Sequence, residues 1–75
     1  MDNAEYDEAI GKTVRSAILA TVGSVNGAAR ESGIAYTTLD RKLRGLSSFK
    51  ASELRRLAKI TGRSAADFLP REVAA

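Results

Sequence analysis

Apolar residues recur along the chain at the three-to-four-residue spacing of a helix, and no segment alternates as a strand would. Tyr6, Ile10, Val14, Ala17, Ile18 and Thr21 make one face of a first helix over about residues 7–22. Gly23 can close it, since glycine takes positive φ without steric cost. Ser24 is placed to cap a short second helix, 25–32, with Val25, Ala28 and Ala29 turned inward. Gly33 breaks the chain again, and a third helix is predicted over 36–44, ended by Gly45. "LSSFK" reads as a turn with Phe49 as an apolar plug. A fourth helix, 51–61, has Leu54, Leu57, Ala58 and Ile60 as its inner stripe, Glu53 in its first turn and Gly62 as its stop. Ser64 and Asp67 frame a last short helix, 65–69, as a capping box, and Pro70 ends it. The pattern is all-α: five short helices in one domain, with frayed tails at 1–5 and 71–75.

The third helix carries two stripes. On a wheel of about 100° per residue, taking Leu39 as the origin puts Leu43 at about 40°. Arg44 falls at about 140°, Thr37 at about 160° and Arg41 at about 200°. The leucines therefore anchor the helix, while a hydroxyl and two guanidiniums are presented on the opposite side. Tyr36 falls at about 60°, closer to the leucines, so it either packs over the first turn or belongs to the presented face.

Charge sharpens this picture. The net charge of the 75 residues is +3. Residues 1–8 hold Asp2, Glu5, Asp7 and Glu8 and no base. Residues 41–63 hold eight bases (Arg41, Lys42, Arg44, Lys50, Arg55, Arg56, Lys59 and Arg63) against Glu53 alone, a net +7. A local field this strong favours a polyanionic partner over a merely solvated face. The chain has no cysteine and no histidine, which removes disulfides, zinc-ligand sets, thiol nucleophiles and imidazole bases. "GSVNG" precedes a helix but lacks the lysine and spacing of a phosphate-binding P-loop. No enzyme activity, cofactor or metal is expected. The acidic start does not read as a signal peptide, no apolar run approaches ~20 residues, and a cytoplasmic location is expected.

Ala29 is followed four residues on by Gly33 and six further by Leu39. A small residue lets two helices cross closely, glycine permits the turn, and leucine locks the second helix down, as in a helix-turn-helix. "SVNGAARESGIAYTTLDRKLRG" resembles the helix-turn-helix of the lambda-repressor-like (Cro and phage-repressor, XRE-type) DNA-binding family, with the unit at about 24–45. With "SSFKASELRRLAKITG" it is similar to the variant common in actinobacteria and their phages. The resemblance implies a five-helix lambda-repressor-like domain that binds operator DNA through the major groove as a transcription regulator. It implies a repressor or Cro-like protein of a phage or prophage, working as a homodimer.

By position, the resemblance places base readers at Tyr36, Thr37 and Arg41. It places phosphate contacts at Ser24, Val25 (through its backbone N–H), Thr38, Arg44 and the loop residues Ser47, Ser48 and Lys50. Lys42 stands where many members have an aliphatic residue. With Leu43 in the apolar role, Lys42 reads as free to reach phosphate. Ala35 stands where a serine or threonine often caps the recognition helix, which leaves that helix start weakly specified. Arg41 suits guanine O6 and N7. Asp40 either accepts from cytosine N4, orients Arg41 or Lys42, or repels phosphate on wrong sequences. Arg55, Arg56 and Lys59 read as a solvated outer face that contributes only background field. A competing reading is an antitoxin or antirepressor that holds a protein partner through an apolar patch. Its candidate surface, Ala65, Ala66, Phe68 and Val73, equally suits a homodimer seam. Monomer and DNA-dependent dimer both remain open from sequence.

Overall fold

The computed structural model describes residues 2–70. It contains four α-helices, α1 (Asn3–Thr21), α2 (Val25–Ser32), α3 (Tyr36–Leu43) and α4 (Ala51–Thr61), followed by a 3₁₀ helix (Ala65–Phe68). There is no strand among the described residues. The fifth predicted helix is thus a single tight turn. It starts with the Asp67 carboxylate accepting from the Ser64 N–H at 3.0 Å. The expected tail 71–75 lies outside the described residues.

The first helix begins four residues earlier than the apolar pattern predicts. Residues 3–5 are helical rather than frayed. Asp2 caps them, its Oδ1 accepting from the Glu5 N–H at 2.8 Å. An acidic cap followed by Glu5 in the first turn suits the positive end of the helix dipole.

The core joins all five elements. Val14, Ala17, Ile18, Ala28, Leu39 and Leu57 have no exposed surface, and Ile10, Ala29, Ile34, Leu43, Leu54, Ala58 and Phe68 are nearly as buried. In α4 the inward stripe ends on Thr61, which is 4% exposed, while Ile60 is only half-buried. The Thr61 hydroxyl donates to the Leu57 carbonyl at 2.8 Å, so its burial leaves no orphan polar group.

Two glycines set how α3 leans on α1. A Cβ at Gly11, midway along α1, would overlap the Leu43 carbonyl at the end of α3. A Cβ at Gly45 would come 2.9 Å from the Glu8 Cα, and Gly45 also sits at φ +78°. The backbone leaving α3 therefore lies directly on α1.

Candidate nucleic-acid interface

The α2–α3 pair is built from short-range rules. Ser24 Oγ accepts from the Gly27 N–H at 3.0 Å and starts α2. The first-turn N–H groups of α2, Val25's included, have no partner within the helix. Gly33 closes α2 in the left-handed region, φ 76°, with its N–H on the Ala29 carbonyl. Buried Ser32 accepts from the Ile34 N–H at 3.3 Å and stiffens the turn. Arg56 adds a long-range brace, Nη1 donating to the Ser32 carbonyl at 3.3 Å. Reading Arg56 as purely solvated is therefore incorrect: the residue is exposed, but its guanidinium ties α4 to the end of α2.

α3 starts at Ala35, which offers no side-chain cap. Its inner residues Leu39 and Leu43 are 0% and 3% exposed. Tyr36, Thr37, Arg41 and Arg44 are exposed, Tyr36 at 49%, and Thr38 and Asp40 are half-buried. Asp40 faces Arg44, with Oδ2 3.5 Å from Nη1, rather than Arg41 or Lys42. Such an exposed i,i+4 pair is worth only about 0.3–0.5 kcal/mol, so Arg44 can exchange it for a stronger anion. Among the described residues Arg41 has no ion-pair partner.

Lys42 corrects the sequence reading. Its Nζ sits 2.6 Å from Glu53 Oε1, with each side chain 10% exposed. It is not free to reach a phosphate. Lys42 and Tyr36 both lie about 60° from Leu39 on the wheel, on opposite sides, and it is the Glu53 carboxylate at the start of α4 that holds Lys42 inward. Glu53 Oε1 also accepts from the Lys50 N–H at 2.7 Å, so one carboxylate joins the end of α3 to the start of α4. Burial pushes the Glu53 carboxyl up. The Lys42 hydrogen bond, the Lys50 N–H and the charges of Lys42 and Lys50 outweigh it and hold the group below its ordinary value.

In the loop, Lys50 is exposed and Ser47 half-buried. Ser48 Oγ donates to Asp7 Oδ2 at 2.7 Å, which pins the loop to α1 and puts a carboxylate beside a residue expected to meet phosphate. At the other end, Phe68 is 1% exposed and belongs to the core, so it cannot form a dimer seam. Its burial follows from the 3₁₀ turn, which folds the aromatic back under α4. Ala65 is half-buried, Ala66 is exposed, and Val73 lies outside the described residues.

The pattern of α3 was legible in sequence. The Lys42–Glu53 pair, the Gly11 crossing and the Arg56 brace were not, because each depends on a partner distant in sequence. A glycine interrupting the regular α1 pattern was the one available signal. No helix among the described residues is long and apolar enough to cross a membrane. No protein-family model, curated protein or solved structure matches the chain.

Proposed function

We propose that the chain is a sequence-specific DNA-binding transcription regulator with a lambda-repressor-like helix-turn-helix, of the Cro or phage-repressor kind. In this reading α2 and α3 are the helix-turn-helix, and α3 enters the major groove. The observation that carries it is the state of the charges on α3. Asp40 is paired with Arg44 and Lys42 with Glu53, while Arg41 is exposed and unpaired among the described residues. It stands beside Thr37 and opposite the buried leucines. An uncompensated guanidinium on a rigidly anchored helix suits bidentate recognition of guanine.

Phosphates would be met by the α2 amino end at Ser24 and Val25, by Thr38 and Arg44, and by Lys50 in the loop. These contacts supply most of the affinity and make it fall with salt. Arg41, Thr37 and Tyr36 supply base preference. The competing protein-docking reading relied on an apolar tail surface, and Phe68 is withdrawn from that surface.

Selection of bound sites from a random DNA pool tests the proposal. Enrichment of a short motif supports it. A palindrome with half-sites about one helical turn apart would further indicate a homodimer on DNA. No enrichment over the starting pool would sink it.

A further inference from the structure

We propose that the outer face of α4 is a second phosphate-backbone contact, which extends the DNA surface beyond the α2–α3 pair; this rests on the DNA-binding reading above. Ser52, Arg55, Arg56 and Lys59 line a shallow concavity of about 360 Å³. All four are on the outer side of the helix, and the three cations are exposed. They follow the i, i+3, i+4, i+7 rule and cover about 10 Å of one helix face.

The charge on this face is uncompensated by its own helix. The one carboxylate of α4 is Glu53, which is turned inward onto Lys42. Arg56 is held by the Ser32 carbonyl through one nitrogen, which leaves its other N–H donors available. A guanidinium already fixed in place loses less freedom on meeting an anion. Lys50, a residue expected to meet phosphate, immediately precedes the first residue of α4, two positions before Ser52.

The chemistry of the lining selects the partner. A small-molecule site is enclosed, whereas this concavity is open: the aliphatic stems of its side chains form much of its wall, and the polar groups around it are one hydroxyl and three cations. The centre of a protein interface is depleted of lysine and anchored by aromatic or large apolar residues. Among the described residues the exposed large apolar ones are Leu19, Tyr36 and Leu46, on α1, α3 and the loop, with none on α4. A row of cations without an apolar anchor suits the evenly charged backbone of DNA.

The test is the salt dependence of binding to a generic DNA duplex, read by fluorescence anisotropy of the full chain. Arg55→Ala should reduce the log–log salt slope by about one unit, and R55A/K59A by about two. Arg56 is left in place because it braces α2. Lys12→Ala is the control, since Lys12 is an exposed cation on α1 that already faces Glu8 at 3.9 Å. It should leave the slope unchanged. An unchanged slope in R55A/K59A overturns the proposal, and so does an equal fall in Lys12→Ala, which would reveal only a general field. Loss of base preference in Arg41→Ala with an unchanged slope in R55A/K59A would overturn the α4 contact alone. A lowered slope in R55A/K59A with no effect of Arg41→Ala would support the α4 contact and remove the α3 reading. An unaltered chain that binds no DNA would overturn both.

Discussion

The Lys42 ammonium and the Glu53 carboxylate meet at 2.6 Å inside the protein and join the last turn of α3 to the first turn of α4. Because Glu53 also accepts the Lys50 N–H, removing it strands a buried cation and uncaps α4 together. Glu53→Ala should therefore cost about 3–5 kcal/mol. Replacing both partners by apolar residues of similar volume, as in K42M/E53L, should recover much of that loss. Urea unfolding of both variants checks this. A Glu53→Ala loss under about 1 kcal/mol, the range of an exposed pair, would contradict the buried bridge.

The same pair predicts a pH dependence. The Glu53 carboxyl lies below its ordinary value in the folded protein, despite burial that pushes it up. A group with a depressed folded value binds its proton more readily in the unfolded chain. Its contribution is therefore fully present above the unfolded value of about 4.3 and is lost as pH falls through the folded value. The unaltered chain should lose stability below about pH 4 more steeply than Glu53→Gln. Denaturant midpoints across that range decide the matter, and parallel curves would remove Glu53 as a contributor.

Gly11→Ala should destabilise the protein, although alanine normally gains about 1 kcal/mol over glycine in a helix interior. The added Cβ would overlap the Leu43 backbone carbonyl, which no rotamer change can move. The expected cost is about 1–3 kcal/mol or more, since α3 must be pushed off α1. Gly27→Ala is the comparison. Its Cβ would meet Ser24 Oγ at 3.1 Å and Val22 Cγ1 at 3.2 Å, tight contacts with side chains that can give. Thermal unfolding should show a clear fall for Gly11→Ala and little change for Gly27→Ala.

The contrast between these glycines also shows what a sequence carries. Helix periodicity placed α2, α3 and α4 within a residue, because their apolar stripes and bounding glycines are local signals. The opposed leucine and arginine faces of α3 followed from the same arithmetic. The start of α1 is set by the Asp2–Glu5 cap, a polar signal that apolar spacing does not register. The roles of Lys42 and Arg56 are not local signals, because their partners lie eleven and twenty-four residues away. Phe68 is ambiguous in sequence because a lone aromatic in a one-turn helix suits a core plug and an exposed seam equally, and its burial decides for the core.

Phe68→Ala should behave as a core deletion. Phe68 is among the largest fully buried side chains, so its removal should cost about 3–5 kcal/mol. For a small domain that is a large part of the total stability. Sedimentation should register no loss of association beyond that caused by unfolding. A variant that stays stable yet dissociates would restore Phe68 to a seam.

Arg41→Ala separates base reading from phosphate contact. Arg41 is exposed, unpaired among the described residues and fixed to the core through Leu39 and Leu43, so its truncation should leave the fold intact. If it reads a base, discrimination at one position of the selected motif should fall by about 1–3 kcal/mol, while the salt slope on generic DNA stays as it was. Lys50→Ala should do the reverse: binding weakens alike on all sequences, and the slope falls by about one unit. Competition binding with single-base variants of the selected site measures the first effect and a salt titration the second. A uniform loss on every sequence in Arg41→Ala would reassign Arg41 to the phosphate backbone and leave Thr37 and Tyr36 as the remaining readers.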